Sequence, residues 1–294
     1  MEKIFKKYST LSIVLGAVMW GLIGLFVRTL SAAGLDSVQT MMVRCIFAAA
    51  VMFVYLGIFD REKLKIRPRD LWVFFGTGVL SFLVFGCFYF AAIDIMSMSA
   101  AAMLLYTSPV FVTLMAAVFF RERITKIKVI AVCATLAGSA LIAGGFGGAS
   151  LSAKGVFYGL MSGFCYALYS IFGRIALKRY STVTITAYTF LFAAAGSLLA
   201  ADLPETAAVI AADLKLIPFA ALFALVTAAA PYILYTGGLK YTSAGRAAVT
   251  ACIEPVVASL AGMVFFHETM SIGGAVGSML ILGAVFIQSK AEGK

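Results

Sequence analysis

Apolar positions along this chain run in continuous blocks of about 20 residues, without the period-two alternation of strands. A helix of that length crosses roughly 30 Å of hydrocarbon. Ten such spans are predicted, at approximately 10–30, 38–58, 71–92, 98–120, 127–146, 153–173, 183–201, 214–238, 243–266 and 271–289. The unbroken apolarity excludes a β-barrel, whose strands alternate between lipid and lumen. The fold class expected is therefore an all-α integral membrane protein.

The pattern repeats. Residues 89–125 align without a gap on 235–271, and 235 minus 89 is 146. The same offset pairs Tyr89 with Tyr235, Ser97 with Ser243, Pro109 with Pro255, Phe119 with Phe265 and Glu122 with Glu268. Upstream it pairs Trp20 with Tyr166, Phe26 with Phe172, Arg28 with Arg174 and Thr40 with Thr186. The glycine-rich stretch GGFGGAS, 144–150, then reads as the joint between a first unit of residues 1–146 and a second of 147–294. Five crossings per unit is an odd number, so the second unit starts on the opposite side of the membrane. The expected architecture is ten transmembrane helices as a 5+5 inverted-topology repeat, with paired central helices around a midplane cavity.

Composition agrees: 63% of residues are apolar and 12% charged, with a mean hydropathy of +1.03, outside the range of soluble domains. A net charge of +10 raises the question of nucleic acid, but the positions of the charges answer it. With the N-terminus inside, about 19 of the 23 Lys and Arg fall on the cytoplasmic side, as the positive-inside rule requires. They include REKLKIRPR (61–69) and RERITKIK (121–128), whereas the 202–213 segment carries Asp202, Glu205 and Asp213 and reads as an acidic outer loop. Both termini are expected in the cytoplasm of a multi-pass cell-membrane protein. The excess charge then reports orientation and a weak attraction to anionic lipid heads, and nucleic-acid binding is not implied. The N-terminal MEKIFKKYS and its apolar run read as a retained first helix, because no small-residue cleavage site precedes a soluble domain. Five cysteines stand singly in the spans without C-x-x-C spacing, which supports neither a disulfide framework nor a metal site.

MWGLIGLFVR (19–28), VRCIFAA (43–49), YTSPVFV with FFRERIT, and CIEPVVASL with FFHET together resemble the EamA-type branch of the drug/metabolite transporter superfamily. The resemblance covers both units. It implies a ten-helix secondary transporter without cofactor, often exporting amino acids or other small metabolites. His267 departs from it, standing where the first unit has Arg121.

Glu254 is the leading candidate side chain, because it falls near the middle of span nine and its repeat partner is neutral Ser108. Carboxylates at that depth face a cavity, find a partner or titrate. Proton coupling or contact with a substrate ammonium is one reading, and a hydrogen-bonded lock between helices is the other. Pro109, Pro231 and Pro255 lie inside spans and free the carbonyls four residues earlier, at Leu105, Thr227 and Ala251. Such breaks are either packing kinks or part of a site. Arg44 in span two would snorkel, pair with Glu254 or bind a substrate carboxylate. Trp20, Tyr106, Tyr166 and Tyr235 are the aromatics expected to line the cavity, with Tyr89, Tyr169 and Tyr232 as further members and lipid-facing rings as the bland alternative. Glu122 and Glu268, at equivalent helix ends, are expected to cap free amides. Gly273 and Gly277, at GxxxG spacing, would allow close helix contact.

Catalysis on a lipid would need a cluster of His, Asp, Glu or Cys, and the chain has one histidine. A nucleotide-driven pump would need a phosphate-binding loop. The expected function is a secondary transporter of small organic metabolites, exporting by alternating access, with protons through Glu254 as coupling ion. An uncoupled facilitator or channel is the alternative, and a membrane-embedded enzyme a remote one. The sequence leaves the oligomeric state open.

Overall fold

In a computed structural model the described residues, 2–144 and 152–290, are helical and contain no strand. The helices are α1 (Glu2–Lys7), α2 (Ser9–Ala32), α3 (Ser37–Phe59), α4 (Pro68–Ile93), α5 (Met98–Phe120), α6 (Lys126–Ile142), α7 (Ala153–Ala176), α8 (Thr182–Ser197), α9 (Leu203–Ala212), α10 (Leu216–Leu239), α11 (Ala244–Phe266) and α12 (Ile272–Lys290). Eight of these are long and apolar enough to cross a membrane, and α6, α8 and α9 are shorter. Of the glycine-rich joint, Gly144 takes a left-handed conformation at φ 83°, and 145–150 lie outside the described residues.

Many of the helices start where a side chain satisfies the first free amides. Asp36 and Gln39 form a reciprocal capping box at α3, and Ser97, Thr125, Ser152, Ser181 and Ser243 cap α5, α6, α7, α8 and α11. The 202–213 segment is not the loop expected. Asp202 caps it as α9, with Pro204 in the first turn, where proline's missing N–H costs nothing. Glu205 accepts from Gln39 Nε2 at 2.8 Å, fastening α9 over the end of α3.

Packing partners exchange under the 146-residue shift. Helix α2 packs on α10 and α11, and its equivalent α7 packs on α4 and α5; α3 packs on α8, α5 on α11 and α6 on α12. Lipid tails are as apolar as leucine, so close fit holds such pairs together. A Cβ on Gly277 would stand 2.4 Å from the Gly138 carbonyl, and one on Gly138 would stand 2.6 Å from that of Gly277. The GxxxG stretch thus serves a contact within the chain, between α6 and α12.

The helical irregularities also recur. A π-helical stretch covers Gly76–Val84 in α4 and Leu225–Ala229 in α10; 79 plus 146 is 225. Both α5 and α11 end on a left-handed residue, Arg121 at φ 54° and His267 at φ 55°. The departure from histidine to arginine therefore leaves the backbone unchanged.

Candidate functional site

Two breaks make the site. Helix α5 is two pieces, Met98–Leu105 and Ser108–Phe120, and α11 is Ala244–Ala251 and Ile253–Phe266. Pro109 and Pro255 are expected as breaks inside their spans, each freeing the carbonyl four residues earlier. They sit instead in the first turn of each second piece, where the ring fits without a broken hydrogen bond. Glu254 is consequently in the first turn of a half-helix at membrane depth. Free amides and the positive end of the helix dipole favour a negative charge there.

Around Glu254, the Tyr166 hydroxyl donates to Oε2 at 3.4 Å and the Tyr106 phenol lies within hydrogen-bonding reach. Tyr89 and Arg44 stand near enough to sense its charge. Glu254, Tyr106, Tyr166 and Arg44 are each half-buried.

Arg44 is held by contacts within the protein. It donates to the Thr227 carbonyl and lies over the rings of Phe82, at 5.2 Å, and Phe223, at 5.9 Å. Thr227 is four residues before Pro231, whose missing N–H leaves that carbonyl free. The arginine on α3 thus satisfies the break in α10, an assignment the sequence places within reach only by naming both groups.

The aromatic candidates divide. Tyr166 contacts Glu254, and Tyr89 and Tyr106 are near enough to sense its charge. Trp20, Tyr169, Tyr232 and Tyr235 are buried and pack on one another. Within that cluster Tyr235 hydrogen-bonds Ser170 and Tyr169 hydrogen-bonds Thr236, both at 2.7 Å, while Trp20 Nε1 has no partner among the described residues.

The largest feature missing from the sequence reading is a pair of ion clusters. Arg174 bonds Glu122 and lies 5.1 Å over Phe120; Arg28 bonds Glu268 and lies 3.7 Å over Phe266. All three residues match under the shift of 146. The signal in the sequence was that Arg28 and Arg174, like Glu122 and Glu268, fall in register. Glu122 also accepts from Lys128 at 3.0 Å and from the Ala244 amide at 2.8 Å, so it caps α11 of the other unit. Burial pushes its carboxyl up, but the Ala244 amide, Lys128 and Arg174 hold it below the ordinary carboxylate value. Side-chain exposure is 10% at Glu122 and 51% at Glu268. Beside Glu268 a cleft of about 180 Å³ opens between α2 and α11. It exposes Gly24 and Ala258, whereas the matching Ser170 and Val112 are buried.

A helical bundle of this apolarity, with charged groups held at depth by broken helices, defines a multi-pass membrane transport protein. The chain belongs to the EamA-like transporter family, whose pattern matches residues 7–144 and again 153–289. It is similar to an uncharacterized transporter of Archaeoglobus fulgidus, 30% identical with 96% of each chain covered. It is also similar to the uncharacterized inner membrane transporter YicL of Salmonella typhimurium, 22% identical over 95% of this chain and 94% of the relative. A solved protein crystal structure, 20% identical, has the same fold with a TM-score of 0.76, covering 97% of this chain and 98% of that one.

Proposed function

We propose that the protein is a secondary transporter of small organic metabolites, built as ten membrane helices in two inverted five-helix units, 1–146 and 147–294. The units rock about a site formed by Glu254, Tyr106 and Tyr166, with Trp20, Arg44 and Tyr235 supporting it. The observation that carries this reading is the exchange of packing partners and ion clusters under one fixed shift, because two equivalent arrangements of one frame are what alternating access requires.

The basic end, with Glu2–Lys240, Asp70–Arg179 and the Glu122 cluster, is the cytoplasmic face and holds both termini. Its gate is closed and the Glu268 gate is loosened. Buried Thr113 and half-buried Ser259, which match under the shift, agree with that state. Export follows if substrate leaves through the cleft beside Glu268, with protons returning by way of Glu254.

The test is proton movement into proteoliposomes under an imposed pH gradient, with metabolites added singly and direct solute flux recorded alongside. Substrate-dependent proton entry, lost in Glu254→Gln, is expected. Solute flux without it would make the protein an uncoupled facilitator, and full coupling in Glu254→Gln would remove that residue from the mechanism. Cysteines at Thr113 and Ser259 should change reactivity in opposite senses on substrate addition; one fixed pattern under all conditions would sink alternating access.

A further inference from the structure

We infer that one anionic phospholipid binds at the basic end of the molecule, with an acyl chain in a groove between α2 and α10 and its phosphate on the lysines of α1. The groove has a volume of about 440 Å³. Ile4, Tyr8, Leu11 and Leu15 form one wall and Ile233 and Leu234 the other. Ser12, which also lines it, turns its hydroxyl to the Tyr8 carbonyl at 3.0 Å, so the walls are apolar. Backbone hydrogen bonds from Tyr8 to Ile4 and from Ser12 to Tyr8 carry the helical path across the join of α1 and α2. From Ile4 to Leu15 that path rises about 16 Å at 1.5 Å per residue, close to one leaflet's half of a hydrocarbon core of roughly 30 Å. The groove therefore has the length of one lipid tail lying along the helices.

Helix α1 holds positive charge at the mouth of this groove. Phe5 is buried against Gly237, where a Cβ would stand 2.5 Å from its ring. Glu2, the one acid of this helix, pairs with Lys240. These two contacts fix α1 on the end of α10 and leave Lys3, Lys6 and Lys7 exposed, without a carboxylate partner among the described residues. Lys7 Nζ lies 5.0 Å from the centre of the Tyr8 ring, so its charge stands beside a wall of the groove. Lys3 falls one turn away on the same helix face. The 146-residue shift carries Lys3, Lys6 and Lys7 onto Ala149, Ser152 and Ala153, so the duplicated frame does not require these cations. A zwitterionic lipid would bring its own cation among them, whereas a lipid of net negative charge gains from each lysine near the headgroup plane. The site depends on the basic end facing lipid headgroups and not on what the protein transports.

The test is lipid binding to the full chain in detergent, followed by native mass spectrometry. The probes are phosphatidylglycerol and phosphatidylcholine with the same acyl chains, and glycerol phosphate as the headgroup alone. One phosphatidylglycerol per chain should bind at least about tenfold more tightly than phosphatidylcholine, and glycerol phosphate should not displace it. Lys3→Gln combined with Lys7→Gln should weaken phosphatidylglycerol by about tenfold or more. Arg123→Gln combined with Lys126→Gln, which removes two exposed cations elsewhere at the same end, should change it by less than about twofold. Leu11→Trp, which fills the groove, should weaken phosphatidylglycerol although every lysine remains. Equal affinity for the two lipids, equal effects of the two double variants, or full affinity in Leu11→Trp would overturn the proposal. A dimer that Leu11→Trp dissociates would also overturn it, by placing a second copy in the groove, and displacement by glycerol phosphate would do so by making this a site for free anions. The lysine pair and the groove variant are read independently, so if one fails to fold by size-exclusion chromatography the other decides.

Discussion

Neutralising Glu122 and Glu268 should have very unequal consequences, although the two residues occupy equivalent positions. Glu122 accepts from Lys128 at 3.0 Å, from the Ala244 amide at 2.8 Å and from Arg174, and is nine-tenths buried. Removing a partner from a buried ion cluster costs about 3–5 kcal/mol, because the remaining charges are left uncompensated. The orphaned Ala244 amide adds about 1 kcal/mol. Glu268 meets one arginine, with both side chains about half exposed, and exposed pairs are worth about 0–1 kcal/mol. Glu122→Ala should therefore lower thermal stability in detergent by several times the change in Glu268→Ala. Because the lost contacts hold α5, α7 and α11 together at the basic end, it should also raise the reactivity of a cysteine at Thr113, in a background with exposed Cys87 and Cys133 replaced. Equal losses of stability in the two variants, or a Thr113 cysteine as protected as before, would refute the reasoning.

Three further outcomes follow from single contacts. The depressed Glu122 carboxyl gives stability that is fully present above the unfolded value of about pH 4.3 and is lost as pH falls through its lower folded value; acid melting curves of wild type should steepen below that pH, and those of Glu122→Gln should lose the added slope. Arg44→Leu should destabilise by about 1.5–3 kcal/mol by orphaning the Thr227 carbonyl, and Pro231→Ala, which restores an N–H, should reduce that penalty in the double variant; a purely additive thermal double-mutant cycle would rule this pairing out. Gly277→Ala should destabilise by about 1–3 kcal/mol, since its Cβ would lie 2.4 Å from the Gly138 carbonyl, while Gly283→Ala, with open space around it, should melt within about 1 kcal/mol of wild type.

The spans were legible because membrane helices announce themselves by length and apolarity, and the predicted and observed limits of the long helices differ by a few residues. Two features escaped for physical reasons. Helix α9 is short and mixed in character, so only Asp202 and Pro204 marked it, and both also mark turns. The splits in α5 and α11 fall two or three residues before each proline, because Pro109 and Pro255 sit in the first turn of new half-helices. At the site, burial and depth of Glu254 could be argued from its position, and the carbonyl freed by Pro231 could be named. That Arg44 takes that carbonyl, and that Tyr235 is tied to Ser170 instead of facing Glu254, depends on the rotation of α3 and α10 about their axes. An apolar helix buried on most faces carries little periodicity to report that rotation.

A frame with two identical units would have no preference between its two arrangements, so the positions where the units differ set the resting state. Lys128 is the sharpest such difference at the ion clusters, since 128 plus 146 is 274 and position 274 is Gly274. Among the described residues the Glu122 cluster therefore holds one more cation than the Glu268 pair, with Lys128 14% exposed. A charge-assisted hydrogen bond of this kind is worth about 1.5–3 kcal/mol, and each 1.4 kcal/mol is a factor of about ten in a two-state ratio. On the alternating-access reading, Lys128→Gln should move the resting population toward the arrangement with the basic end open by about tenfold or more. Paired distance measurements between spin labels at the two ends would report it as a new short-distance population at the Glu268 end. An unchanged distance distribution in folded Lys128→Gln would mean that helix packing, and not this gate charge, sets the bias.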